Sequence, residues 1–181
     1  MADITIYIAN LAGVDDDTMT NVSNLLSGYW NSVLWSTDYN LTGVKVVKHN
    51  SGISVRKTDL LCYIVPNFTK SKVKLWSTKS TYNGTDGGLT AYTDSEPWKS
   101  ASEVYADVVN ATASDVAGAY ANLIFHELMH NKGTIGDELH NIGGYGLASE
   151  TVDATSALSD GNCTFLRGIL DKEVTQYVAS F

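Results

Sequence analysis

Apolar residues recur along this chain with two different periods, and those periods predict most of its elements. "DITIYIA" (Asp3 to Ala9) alternates apolar and polar positions, which predicts a strand. In the next segment Met19, Val22, Leu25, Leu26, Trp30 and Val33 or Leu34 recur at helical spacing behind three aspartates placed to complement a helix dipole. That pattern predicts an amphipathic helix. "GVKVVKH" (Gly43 to His49) and "DLLCYIV" (Asp59 to Val65) are strand-like, the second continuous enough for a central strand covered on both faces. "KVKLWST" is a further candidate strand. From Tyr82 to Lys99, NG and DGG turn signals predict a loop or irregular edge that holds at most one short strand, "LTAYT". "EVYADVV" (Glu103 to Val109) fits a strand, while its Ala and Glu content also allows a short helix. "ASDVAGAYANLIFHELMHNKG" predicts a long helix capped by Ser114 or Asp115 and closed by Gly133 as the first residue beyond its end. Its stripe of Ala117, Ala121, Ile124 and Leu128, widened by Phe125, makes it central to the core. Leu166, Ile169, Leu170, Val174, Tyr177, Val178 and Phe181 predict an amphipathic C-terminal helix.

Composition narrows the class without changing these elements. A chain of 181 residues is one domain in size, and 44% hydrophobic with 18% charged residues is ordinary for a globular protein. A formal net charge of -8 argues against the basic surface that a nucleic-acid backbone needs, so no nucleic-acid partner is expected, and an acidic surface favours a soluble monomer. No apolar run approaches the roughly 20 residues of a membrane span, and "MADITIYIAN" lacks the features of a signal peptide. No membrane partner is expected, and localisation stays open between export by a specialised route and a trimmed mature domain. Cys62 reads as a small buried hydrophobe, with a bridge to Cys163 left open. Six N-x-S/T sequons, at Asn21, Asn40, Asn67, Asn83, Asn110 and Asn162, reflect a surface rich in Ser, Thr and Asn.

The chemistry is concentrated in "HELMH". Residues four apart share a helix face, so His126 and His130 present two imidazoles to one point, where both can bind one zinc ion. Glu127 is rotated about 100° from His126 and flanks that point, within reach of a zinc-bound water without ligating the metal. It is the candidate general base. Two histidines and a glutamate in an otherwise apolar helix are poorly explained by packing, because burying them unpaired costs several kcal/mol. A catalytic zinc has three protein ligands and one open position, and three residues compete for the third place: His140, Asp137 and Glu150. His140 follows Gly133, where the chain can leave the helix and swing back beneath the metal.

"HELMHNKG" resembles the metzincin clan of zinc metallopeptidases, whose HExxHxxGxxH pattern it matches at His126, Glu127, His130 and Gly133. Gly136 stands where the third histidine is expected, so the resemblance requires a ligand from the lengthened loop "TIGDELH". An insertion of this kind is known in the leishmanolysin-like branch, which makes His140 acceptable as that ligand. Glu150 resembles instead the gluzincin spacing of thermolysin-like enzymes. "ATSALSDGNCTFLRGIL" looks like the metzincin Met-turn and the helix after it, with Leu158 in place of methionine and Asp160 where some branches carry a tyrosine.

The resemblance implies an α+β zincin: a twisted mixed sheet with the N-terminal and HExxH helices packed on it, an upper subdomain to about residue 133 and a small C-terminal helical subdomain. It implies a zinc endopeptidase acting on a peptide or protein, with His126, His130 and His140 as ligands and Glu127 as base. The alternative is a zincin-fold binding or structural protein with an idle zinc site. Tyr145 is a weaker candidate, as a donor to a developing oxyanion. His49 and the tryptophans Trp30, Trp35, Trp76 and Trp98 read as surface, core or rim. Trp98 falls where a metzincin's substrate-aligning edge strand would be, a place for a peptide to bind by strand addition.

Overall fold

The computed structural model describes residues 2–48, 53–73, 86–93 and 96–179. Its frame is a sheet of β1 (Ala2–Asn10), β2 (Tyr39–Val47), β3 (Leu60–Val65), β4 (Gly88–Thr93) and β5 (Glu96–Tyr105), in the order β2-β1-β3-β5-β4. The strands run parallel except β4, which pairs antiparallel with β5 along one margin. A short β6 (Thr175–Gln176) joins β5 beside Lys99 and Ser100. The result is a mixed α and β fold on a mostly parallel sheet.

β3 is buried at every residue, as its unbroken apolar run predicts, because the sheet is covered on both faces. One face packs Ile4, Ile6, Ile8, Leu60, Cys62, Ile64 and Val104 against α1 (Asp16–Leu34) and α3 (Val116–Gly133). The other carries Leu61, Tyr63, Val65 and Tyr105 under Phe68, Val73, Tyr177 and Ala179. α1 starts where the Asp15 carboxylate accepts the Thr18 N–H at 2.8 Å, and it buries Met19, Val22, Leu26, Trp30, Val33 and Leu34. Its last carbonyls meet a cation from elsewhere: Arg167 donates to Val33 O at 2.8 Å and Ser32 O at 2.7 Å. Asp115 caps α3 through the Gly118 N–H at 2.9 Å. α3 is buried on nearly every side, which suits a helix passing through the middle of the domain.

Four expectations need correction. β5 begins at Glu96, so the segment from Tyr82 to Lys99 contributes two strands; Glu, Pro, Lys and Ser hide the second from a hydrophobic pattern. "EVYADVV" divides, with β5 ending at Tyr105 and α2 (Ala106–Thr112) following at once. Gly133 is not the left-handed residue after α3 but its last residue; Thr134 takes that conformation, at φ 45°. Gly133 is needed for space, since a Cβ there would lie 2.7 Å from Ile135 Cγ2. The C-terminal helix is also shorter: α5 (Asp160–Arg167) stops at Gly168. Beyond it Val174 and Gln176 are buried while Thr175 between them is less so, the period of a strand, and "VTQYV" is rich in β-branched and aromatic residues. Cys62 and Cys163 are free and buried in the same core cluster. His49, Trp76, Asn83 and most of "KVKLWST" lie outside the described residues.

Candidate metal centre

Two helices bring the histidines together. His126 and His130 project from one face of α3, and the four-residue α4 (Leu139–Ile142) returns His140 to them. One ring nitrogen of each lies within 4.8 Å of the others. The rings of His126 and His140 stack at 5.5 Å between centroids, while His130 stands edge-on to both. Asp137 and Glu150, the competing ligands, are exposed and fall outside this group.

The hydrogen bonds fix which nitrogens face inward. His126 Nδ1 lies 2.8 Å from Leu147 O, and His130 Nδ1 lies 2.9 Å from Ile135 O. A carbonyl only accepts, so each Nδ1 carries the proton and each neutral ring is left with a bare Nε2. Those two atoms stand 3.1 Å apart, lone pair towards lone pair. Protonating a ring would relieve the contact, yet burial, followed by repulsion from a charged His130, pushes the His126 imidazole down to about 3. His140 Nε2 is buried and has no hydrogen-bond partner among the described residues. A buried nitrogen lone pair without a donor, as at His140 Nε2, is costly unless a cation accepts it. Ligands on one tetrahedral zinc at 2.0–2.1 Å stand roughly 3.3 Å from each other, close to the separation of the first pair. The donor set therefore fits zinc.

Glu127 is 5% exposed and turns towards the margin of the sheet. Its Oε2 accepts from Thr90 Oγ1 at 2.7 Å, and the backbone of β4 comes so close that a Cβ on Gly88 would stand 2.7 Å from Oε1. Behind the histidines, Asn162 holds the returning loop. Its Oδ1 accepts from the N–H groups of Leu147 and Ser159, each at 3.0 Å, and its Nδ2 donates to Gly143 O at 2.7 Å and to Tyr145 O. Asn162 thus aims the Leu147 carbonyl at His126. This sequon asparagine is fully buried, so it belongs to the interior and not to the polar surface expected of it.

The remaining candidates separate. Tyr145 has a backbone φ of 58° and an 80% exposed side chain. Leu158 packs partly buried against the main core, and Asp160 opens α5 on the surface. Trp30 is core; Trp35 and Trp98 are exposed. Sequence reasoning missed Thr90, Gly88, Ser102, Asn131, Asn162 and Gln176 around the site. Only Asn162 gave a signal, as N3 of the "SDGN" start of α5, where it completes a capping box with Ser159. Compared with models of protein families, with curated proteins and with solved structures, the chain matches none.

Proposed function

We propose that this protein is a zinc-dependent endopeptidase with His126, His130 and His140 as metal ligands and Glu127 as general base. The observation that carries the reading is the trio of inward-facing imidazoles, two of them fixed as Nδ1–H tautomers, on the helix that also carries a buried glutamate. Bound zinc lowers the pKa of a water towards 7 and polarises a carbonyl. Glu127 takes the proton as the water oxygen bonds to the scissile carbonyl carbon. It then passes that proton to the amide nitrogen as the C–N bond breaks, so a carboxylic acid and an amine leave.

The peptide class is supported by β4. It lies antiparallel at the sheet margin, pairs on one side with β5, and has no strand on its other side among the described residues. Such a margin accepts an extended peptide through main-chain hydrogen bonds. The likeness to metzincins belongs to this proposal; it rests on "HELMHNKG", the displaced His140 and that strand, with Leu158 and Asp160 as departures. Division into a part up to about residue 133 and a smaller part after it belongs to the same reading.

The test pairs metal analysis with hydrolysis. Purified protein is expected to hold one zinc per chain and to cleave members of a peptide library, and Glu127→Gln is expected to keep the zinc while losing about 100-fold or more of the rate. A Glu127→Gln variant as active as wild type refutes the reading. Zinc without any peptide cleavage favours a binding protein with an idle metal site.

A further inference from the structure

The row of residues beneath α3 changes character across the sheet. Ile8, Cys62, Ser102 and Thr90 stand side by side in register on β1, β3, β5 and β4. The first two are apolar core. The last two are hydroxyls, and they lie under Glu127: Ser102 Oγ is 3.2 Å from Glu127 O, and Thr90 Oγ1 is 2.9 Å from the same carbonyl and 2.7 Å from the carboxylate.

A directed chain of hydrogen bonds leads to that carboxylate. The Leu61 backbone N–H, which can only donate, lies 3.3 Å from Gln176 Oε1 and fixes how the Gln176 amide is turned. Gln176 Nε2 then donates to Asn131 Oδ1 at 2.8 Å, and Asn131 Nδ2 donates back to Gln176 Oε1 at 3.0 Å. The other N–H of Asn131 goes to Ser102 Oγ at 3.0 Å, so the Ser102 hydroxyl keeps its own proton to give to Thr90 Oγ1 or to the Glu127 carbonyl. In both cases the single proton of Thr90 is left for the carboxylate, the strongest acceptor within its reach. Gln176, Asn131 and Ser102 are buried, so reversing any member would leave an unpaired group away from water.

We propose that Thr90 is the positioning residue of the base: backed by Ser102, Asn131 and Gln176, its hydroxyl holds one carboxylate oxygen of Glu127 and so sets how the carboxylate is turned towards the attacking water. The inference rests on the reading of Glu127 as base. It adds that the strand on which a peptide is expected to dock also orients the group that cleaves it. Gly88, two residues earlier on β4, lets that strand pass close to the other oxygen, since a Cβ there would lie 2.7 Å from Glu127 Oε1.

The experiment compares wild type, Glu127→Gln, Thr90→Val, Thr90→Ser and Ser102→Ala, with zinc content, melting temperature, kcat and KM measured on one cleaved peptide. Thr90→Val is expected to keep its zinc and its KM while kcat falls about tenfold, and Thr90→Ser to restore most of the rate. Ser102→Ala, which leaves the Thr90 hydroxyl without its backing, is expected to lower kcat about threefold at unchanged KM, and it decides the matter if Thr90→Val does not fold. Wild-type kcat in a folded Thr90→Val, a Thr90→Ser as slow as the valine variant, or an unaffected Ser102→Ala each overturns the positioning role alone, provided Glu127→Gln is inactive. A wild type that cleaves no peptide, or a Glu127→Gln that still does, overturns the base and its positioning together.

Discussion

The Nε2 atom of His140 brings to the third-ligand question a chemical argument that spacing cannot. Ten positions separate it from His130, and spacing alone leaves both the histidine and the aspartate of "TIGDELH" as candidates. Once folded, Asp137 and Glu150 are exposed and lie outside the histidine group, whereas His140 holds a buried nitrogen with no hydrogen-bond partner among the described residues. His140→Ala is therefore expected to weaken zinc binding by at least about 100-fold, with Asp137→Ala and Glu150→Ala close to wild type; competition against a chelator of known affinity measures all three. Zinc loss in Glu150→Ala alone would assign the site to the gluzincin pattern instead. His126, Glu127 and His130 were legible in the sequence because their chemistry is local to one helix. The residues that orient them were not, because Leu147, Asn162, Thr90 and Gln176 reach the site through tertiary pairing.

At the scale of elements, the strongly apolar segments followed the hydrophobic pattern and those that begin in polar residues did not. α1, α3, β1 and β3 bury enough apolar surface for periodicity to show. β5 enters the sheet through Glu96, Lys99 and Ser100, and β6 through Gln176, residues whose place is set by partners far along the chain. The end of α3 illustrates the competition: a glycine stands one residue before the left-handed position, and Thr134 is tolerated there because Lys172 reaches both Thr134 Oγ1 and the Gly133 carbonyl. α5 depends on the Asn162 side chain at its start. Asn162→Ala removes half of its capping box and releases the loop that aims Leu147 O at His126. A loss of about 2–3 kcal/mol in urea unfolding is expected, with zinc affinity lower by about tenfold. A variant with reduced stability and unaltered zinc affinity would show that the loop holds His126 without Asn162.

Over the whole molecule, the sheet is tied by an internal ion pair as well as by its core. The Asp59 carboxylate, buried at the start of β3, accepts the Thr5 N–H of β1 at 2.8 Å, the Arg56 N–H at 2.9 Å and the Arg56 guanidinium at 2.7 Å. Burial pushes its pKa up, but Arg56 and the two N–H groups outweigh that and leave it below the ordinary 3.8. The sign follows: the folded state binds this proton less readily than the unfolded chain, so the contribution is full above about pH 4 and is lost as pH falls through the folded value. Asp59→Asn is expected to cost about 2 kcal/mol at pH 7, discounted because Arg56 is half exposed, with the gap from wild type narrowing in unfolding curves taken below about pH 4. A gap that is constant with pH would deny the pair its role.

The position of Gln176 on β6 has a consequence for how the protein is made. The ribosome delivers the two helical histidines, the glutamate and His140 well before it delivers Arg167, Lys172 and Gln176. A nascent chain halted in that interval already owns every proposed metal ligand. It still lacks the cations that close the ends of α1 and α3 and the amide at the root of the chain to Glu127. Under the proposed function, synthesis completes the machinery for holding zinc first and the machinery for cutting peptides last.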